Sequence, residues 1–518
     1  MRSSRMSAAL CGGLGLALIA PLSSASGNAP AQATGNRPAA AHATTAVQGS
    51  EFQNLNGFMW YYNNYFDNKF KDIEKDLDNL KSRGIRVLGF FTPYQGNKAN
   101  CDGCSPVDFY RPSPQSGSMQ DWNHLVAAAH GKGMKVVTYM INIYMDETSP
   151  FFKKAEKEYA AGDRTSREVS SFAWTKDPNT PVPNLNPQMA SDDWTGWKWS
   201  KTAGAYYWKL WFGPGFDFTK PGGRTEVDRM EKFWFDTGID GVIWDVGTTD
   251  ERWKHDAIDL PKSYTPNEKW LAIEQADSGT ASVWQQYGVN TWHQSKGSVF
   301  PENDASNDYS RIVNGTTDAD ALEEALRATD TARAMGATTY AWSIWGDDPD
   351  VNLKPHKYPT YPDDDVMRVQ EAALLAGAGI TYGSAMNDQY IRWSKKLQTD
   401  WGRVLQTVNS NAALLPSASR SRVTAGFDTS NPSSGLDPKV YAMRRTSADG
   451  KQTALLLYNF HNTAAKVSVD LDGTGIRTKQ TPKDLYNGGN GPAIDGRAYT
   501  VDLPAYGFKI LQVSTTGN

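Results

Sequence analysis

The stretch that decides the fold is Phe233–Val246, which reads FWFDTGIDGVIWDV. An amphipathic helix over residues 225–236 is predicted to end at Gly238, and the short apolar run of residues 242–244 follows it. A buried strand of a parallel β/α protein reads as a continuous apolar run, and its carboxyl end is where such folds place their chemistry. The sequence therefore predicts that Asp245, at the end of this run, belongs to a functional site.

Apolar runs and amphipathic helices alternate on both sides of this stretch. Besides the run ending at Asp245, strands are predicted over residues 57–62, 85–91, 135–141, 298–303, 309–315, 338–345 and 380–383. Eight such units predict an α/β fold, a (β/α)8 TIM barrel over residues 51–415. A doubly wound open sheet is the alternative, but no GxGxxG loop follows any predicted strand.

Two regions depart from the barrel pattern. Roughly 80 residues, about 146–222, separate the third predicted strand from the next barrel helix, which is far longer than an ordinary β/α loop. These residues predict a long insertion after strand three. After Pro416 short alternating stretches predict a C-terminal antiparallel β-sandwich over residues 416–518.

The beginning of the chain has the pattern of a secretory signal. Residues 1–26 combine two arginines, an apolar stretch and small residues, and residues 27–50 are rich in Ala, Thr, Gly and Pro, as in a disordered leader. No other candidate membrane span occurs, so we expect a secreted, extracellular protein. Cys101 and Cys104, which flank Asp-Gly, predict a small disulfide loop in that environment.

Charge excludes some partners. The 53 basic and 57 acidic residues nearly balance and form no long basic block, which argues against nucleic acid or an anionic membrane as a partner. No HExxH or paired-His motif is present, so we expect no metal and no cofactor. The oligomeric state is left open by the sequence.

Carboxylates at the ends of predicted strands suggest a chemistry. Asp245 ends strand four, Glu302 ends the predicted fifth strand, and Asp347 and Asp348 end the seventh. Two convergent carboxylates, one as proton donor and one as nucleophile or base, are the minimum for glycoside hydrolysis. Glu274 and Asp304 compete with Glu302 for the second role. Asp347 and Asp348 are adjacent, and one of them is expected to cap the next segment.

Aromatic residues crowd the same part of the chain. Twelve of the 18 tryptophans fall between Trp174 and Trp292. Their flat rings suit the CH faces of sugars while their polar edges stay hydrated. The enrichment agrees with a carbohydrate ligand, although most tryptophans of the insertion are expected to serve packing.

Several segments resemble the α-amylase superfamily, and in particular its oligo-1,6-glucosidase/α-glucosidase branch. The similar segments are GSMQDWNHLVAAAHGKGMKVV (117–137), MDETSPFF (145–152), residues 206–241, DDPDV (347–351) and AGITYGSAMND (378–388). The resemblance implies the nucleophile at Asp245, the general acid/base at Glu302 and the acid that clamps sugar hydroxyls at Asp347.

Four further positions are expected to bind substrate, namely Asn142, Tyr62, Trp244 and Asp348. The chain also departs from the family pattern at four places. The third-strand Asp and His are Thr138 and Ile143, the Arg two residues before the nucleophile is Ile243, and the His beside the third acid is Gly346. Since groups that read hydroxyls give large discrimination, these changes predict an altered sugar specificity.

The expected function is a secreted retaining α-glycoside hydrolase that acts on oligo- or polysaccharides, with transglycosylation as an additional activity. The alternative is an inactive carbohydrate-binding protein of the same fold, because four pocket groups are lost.

Overall fold

The computed structural model describes residues 52–61, 68–97, 101–183, 195–210, 213–244, 269–273, 290–293, 318–334, 338–340, 364–378, 385–386, 393–430 and 435–516. In the first part of the chain the elements are, in order, β1 (Phe58–Tyr61), α1 (Phe70–Ser82), β2 (Val87–Phe91), β3 (Tyr94–Asn97), β4 (Cys101–Pro112), α2 (Met119–Gly131) and β5 (Lys135–Met140). A capping box at Ser118, whose hydroxyl accepts from the amide of Asp121, starts α2.

A separate small unit follows β5. It contains α3 (Pro150–Ala160), α4 (Arg167–Ser170), β6 (Trp174–Thr175), β7 (Thr195–Ser200), β8 (Ala205–Leu210) and β9 (Gly213–Pro214). β8 pairs antiparallel with the other three strands, and Phe152 of α3 packs against Trp174 and Tyr207. The predicted insertion falls on this unit.

The chain then returns to the main sheet. The elements are α5 (Pro221–Phe235), β10 (Gly241–Trp244), β11 (Trp270–Ile273), β12 (Thr291–His293), α6 (Ala319–Ala334), β13 (Thr338–Tyr340), α7 (Asp364–Ala372), a π-helical turn (Ala373–Ala378), β14 (Ala385–Met386) and α8 (Lys395–Asn409). In α5 the buried positions recur at helical spacing, as expected for a helix that covers a sheet.

The described strands form an eight-stranded parallel sheet in the order β13-β12-β11-β10-β5-β2-β1-β14. Among the strands of this sheet, each one from β1 to β12 lies beside the strand that comes next in the sequence. In addition, the last strand, β14, lies beside the first, β1. A doubly wound sheet reverses its strand order near the middle, so this topology rules that alternative out. A pairing of β13 with β14, which would close the ring, is not among the pairings described.

The sheet is strongly curled. The rings of Phe58 in β1 and Trp270 in β11 lie 5.2 Å apart, although four strand spacings separate their strands. In a flat sheet that separation would be roughly 19 Å, since neighbouring strands lie about 4.8 Å apart. The indole of Trp60 also faces this interior and covers Gly89, where a Cβ atom would meet the ring at 2.4 Å. The side chains on the inner face of β1 therefore pack against those on the inner face of β11.

The fifth and sixth strands differ from the prediction. The strand beside β10 is β11 and the next is β12, so the prediction of strands five and six over residues 298–303 and 309–315 is wrong. Those residues, like 380–383 of the predicted eighth strand, lie outside the described ones. Both strands are short, and the three residues of β12 (TWH) provide too few positions for a periodic pattern.

The C-terminal region is antiparallel, as predicted. Its strands are β15 (Ser419–Val423), β16 (Val440–Thr446), β17 (Thr453–Asn459), β18 (Ala465–Asp470), β19 (Lys479–Gln480), β20 (Lys483–Asp484), β21 (Ile494–Asp495), β22 (Ala498–Leu503) and β23 (Phe508–Val513). A five-stranded sheet, β15-β16-β17-β23-β20, packs on the β18–β22 pair over a shared apolar core.

Arginines join this domain to the helices of the main sheet. Arg420 of β15 pairs with Glu323 at 2.6 Å and Asp330 at 2.5 Å, both in α6. Arg445 of β16 is fully buried and donates at 2.7 Å to the carbonyl of Gly377, in the π-helical turn that precedes β14. The C-terminal domain thus binds, through Arg445, the helical turn that precedes β14.

Candidate active site

The described part of the candidate site lies at the carboxyl ends of β5, β10 and β11. Of the predicted site residues, the structure describes Asn142 and Trp244. The others lie outside the described residues, so their roles stay predictions: Tyr62, Asp245, Glu302, Asp347 and Asp348, together with the competing Glu274 and Asp304.

Side-chain contacts fix the two faces of β10. The indole nitrogen of Trp244 donates to Oε1 of Glu231 in α5 at 3.0 Å, so this ring faces the helix layer. Ile243, one residue earlier, faces the opposite way because side chains of a strand alternate. Its register partner in β5 is Tyr139, which stacks on Phe91 of β2 at 4.6 Å on the inner face.

The register between β10 and β11 continues this alternation. Ile243 pairs with Ala272 and Trp244 pairs with Ile273. Trp270, two residues before Ala272, contacts Phe58 across the interior, so the inner face of β11 includes Trp270 and Ala272. In the sequence, Asp245 follows Trp244 directly and Glu274 follows Ile273 directly.

Asn142 and Trp244 meet at one buried carboxylate. The side-chain amide of Asn142 donates to the same Oε1 of Glu231 that accepts from the Trp244 indole. All three residues are 0% exposed. Substrate binding by Asn142 and Trp244 stays a prediction, and the contacts described for them are internal. Sequence reasoning missed Glu231, whose signal was an acid in the apolar stripe of α5.

Uncharged side chains occupy three of the positions where the chain departs from the family pattern. Thr138 and Ile243 are 0% exposed and Ile143 is 2% exposed. Gly346, the fourth position, lies outside the described residues. Strand β10 therefore has no arginine two residues before the predicted nucleophile Asp245. A nearby cation is one of the factors that keep a carboxylate ionised, and this position does not supply one.

Asp146 organises the loop that leaves β5. It is buried and accepts from the hydroxyl of Ser105 at 2.5 Å, the amide of Thr148 at 2.7 Å and the side chain of Asn97 at 3.0 Å. Burial alone would raise the pKa of Asp146, but the hydrogen bonds from Ser105, Thr148 and Asn97 outweigh it and lower the pKa. This carboxylate ties the loop to the β3–β4 hairpin.

A second carboxylate lies at the opposite, amino end of β10. Asp240 accepts from the amide of Val136 at 2.9 Å, lies 2.7 Å from His130 Nε2 and lies 3.4 Å from Lys135 Nζ. Burial acts to raise the pKa of Asp240, but the hydrogen bonds and the charges of His130 and Lys135 lower it overall. Polar groups at this end of a β/α sheet typically serve stability.

Two features of the described residues bear on other functions. Among them, no group of three or more His, Cys, Asp or Glu side chains is arranged to hold a metal ion. Within the same residues, no helix combines the length and apolar character needed to cross a bilayer. Cys101 and Cys104 both lie in β4, and the disulfide between them stays a prediction.

Comparisons with known proteins match both the sheet region and the C-terminal domain of this chain. Residues 51–296 match the α-amylase catalytic domain family, and residues 435–510 match the C-terminal domain family of maltogenic amylase. An oligo-1,6-glucosidase of Parageobacillus thermoglucosidasius is 27% identical over 178 residues, which is 34% of this chain and 30% of that protein. A trehalose synthase of Thermus thermophilus is 26% identical over 180 residues, which is 34% of this chain and 17% of that protein.

The chain thus matches about a third or less of the length of these curated relatives. The fold likeness extends further. The crystal structure of an α-amylase from H. orenii superposes with a TM-score of 0.64 at 17% identity and covers 89% of this chain and 100% of the other. The two family matches occur in the order of the two domains, and they identify residues 51–296 as an α-amylase catalytic domain.

Proposed function

We propose that this protein is a retaining α-glycoside hydrolase that acts on oligo- or polysaccharides. The family and its relatives support this class of activity. The observation that carries the proposal is the register of β10 and β11, in which Trp244 pairs with Ile273. Each of these two residues is followed in the sequence by a carboxylate, Asp245 and Glu274 respectively.

Alternation supports a shared orientation for this pair. Trp244 faces the helix layer, so the next position along β10 would face the interior, and the same holds for the position after Ile273. Neighbouring parallel strands lie about 4.8 Å apart. Retaining glycosidases need their two carboxyl groups roughly 5–5.5 Å apart, so that one can attack the sugar directly.

In the proposed mechanism, Asp245 attacks the anomeric carbon while the proton donor protonates the leaving oxygen, and a glycosyl ester forms on Asp245. The donor, now a carboxylate, takes a proton from water, which attacks the anomeric carbon and releases Asp245. Asp347 would hold the hydroxyls of the distorted ring, as the resemblance implies.

Glu274 replaces Glu302 as our preferred proton donor. Glu302 was expected because residues 298–303 were predicted to be the fifth strand, and β11 now takes that place. Glu302 itself lies outside the described residues, so its role remains a competing prediction. The two glutamates give a matched pair of variants.

The test compares Glu274→Gln with Glu302→Gln on two α-glycosides, one with a sugar leaving group and one with an activated aryl leaving group that needs no protonation. Loss of the donor should lower kcat/KM for the sugar substrate by about 10²–10⁴-fold and spare the aryl substrate. If Glu302→Gln shows this selective loss and Glu274→Gln does not, the assignment to Glu274 is wrong. Saturable sugar binding without any turnover by the wild-type protein would favour the inactive binding protein instead.

Transglycosylation is a second candidate, favoured by the similarity to a trehalose synthase. In that reaction a sugar hydroxyl replaces water in the second step. Product analysis at rising acceptor concentration separates the two outcomes, because a transglycosylase forms new disaccharide where a hydrolase continues to release free sugar.

We also propose a closed barrel and export. Closure is supported by the strand order, in which β14 lies beside β1, and by the curl that brings β1 against β11. Export is supported by the pattern of residues 1–26. Expression in a secreting host should yield a culture-medium protein that begins near residue 27, and retention of residues 1–26 would contradict export.

A further inference from the structure

Helix α5 carries two acids in the stripe that faces the core. The stripe contains Gly223, Glu226, Val227, Met230, Glu231, Trp234 and Phe235. Apolar residues are expected at all these positions, because an unpaired buried carboxylate is costly. Each glutamate therefore needs a reason to be there.

Glu226 is accounted for by structural ion pairs. Its carboxylate accepts two hydrogen bonds of 2.6 Å from Arg167 of α4 and one of 2.7 Å from the hydroxyl of Tyr110. Arg229, one turn along α5, lies 3.0 Å away. These contacts fasten the small unit after β5 to helix α5.

Glu231 has different partners. Oε1 accepts from the Asn142 amide, two residues beyond the end of β5, and from the Trp244 indole, the last residue of β10. One carboxylate oxygen thereby joins the carboxyl ends of two adjacent strands to the helix layer. All three side chains are fully buried, so water does not replace these bonds.

The bond to Trp244 acts on the predicted nucleophile through the backbone. Trp244 immediately precedes Asp245, and fixing the indole fixes the rotation of the strand at its last residue. An apolar side chain at position 231 would leave two buried donors without this acceptor, which is unfavourable because water cannot replace it. The strand end would then shift to find other partners.

We propose that Glu231 is a positioning residue that sets the orientation of Asp245 for attack. The inference rests on the proposed function. A misplacement of about 1 Å at a reacting group can cost on the order of 10²-fold in rate. Glu231 acts through Asn142 and Trp244 and is not expected to touch the sugar.

The test uses Glu231→Leu and Glu231→Gln. Leucine removes the acceptor at similar volume, so kcat should fall about 10²-fold while KM changes less than about threefold. Glutamine retains an acceptor oxygen and should restore kcat to within about threefold of wild type. The matched control is Glu226→Leu, the same substitution in the same stripe, which should lower the melting temperature but leave kcat per folded molecule unchanged.

Trp244→Phe tests the same bond if Glu231→Leu does not fold, since it removes the indole donor and keeps an aromatic ring. It should lower kcat with KM nearly unchanged, and Glu231→Gln should then add no further loss. Wild-type kcat in folded Glu231→Leu, or equal losses in the leucine and glutamine variants, would overturn the positioning role alone. Absence of glycosidase turnover in the wild-type protein would overturn the proposed function and this role with it.

Discussion

The two ends of strand β10 differ in how they hold a carboxylate. At the amino end, Asp240 lies among a histidine, a lysine and a backbone amide. At the carboxyl end, Glu231 meets an amide and an indole, and the predicted nucleophile Asp245 comes next in the sequence. The comparison teaches that charge is neutralised at one end for stability, whereas neutral donors orient the strand at the other. The same division between stability and chemistry is general in β/α barrels.

The strongest test of this division is Asp245→Asn. Turnover should fall by about 10⁴-fold or more, the order seen when a member of a catalytic set is removed, because amide oxygen cannot form the glycosyl ester. Steady-state kinetics on the true substrate measures the loss. The melting temperature should stay close to that of the wild type, and a variant that keeps full activity would contradict the nucleophile assignment.

Asp240→Asn should have the opposite effect to Asp245→Asn, lowering stability and leaving activity nearly unchanged. Removing one partner of a buried ion pair costs about 3–5 kcal/mol, and because Lys135 and His130 retain some exposure we expect about 3 kcal/mol here. Urea unfolding at neutral pH measures the change. Activity per folded molecule should stay within about twofold of wild type, and a selective loss of kcat would show that the amino end also serves chemistry.

Acid pH gives the smallest effect and isolates the charge of Asp240. Its pKa is lowered in the folded state, so its contribution to stability is present above the unfolded value of about 3.9 and is lost as pH falls through the folded pKa. The stability difference between wild type and Asp240→Asn should therefore be present at pH 5 and shrink as pH falls below about 4. A difference that grows between pH 5 and pH 3 would contradict the direction of the shift.

Sequence reasoning succeeded where an apolar run and a helix pattern stand side by side in the sequence. Strands β1, β2, β5 and β10 were predicted because each is a largely apolar run, and the helix before β10 was predicted from its amphipathic pattern and its end near Gly238. β10 and β11 both have four residues, but a predicted amphipathic helix precedes β10 and none was predicted before β11, while β12 has only three residues. The predicted fifth strand placed Glu302 at its end, whereas Glu274 follows β11, and both remain candidates for the proton donor.

The buried polar contacts were beyond a one-dimensional pattern. Glu231 reads as an ordinary charged helix residue, and its partners are 89 and 13 positions away in the sequence. Only the packing of α5 on β5 and β10 brings these groups together. The roles expected for Asp245 and Asp347 remain predictions from strand-end position and family resemblance.

The contact between Phe58 and Trp270 has a consequence for how the chain is made. The two rings are about 210 residues apart in sequence. At a synthesis rate of about 5–20 residues per second, the aromatic surface of the first strand waits roughly 10–40 s for its partner to emerge from the ribosome. During that interval Phe58 lacks the Trp270 ring that contacts it, so the nascent chain exposes apolar surface of the kind that chaperones bind until β11 has been made.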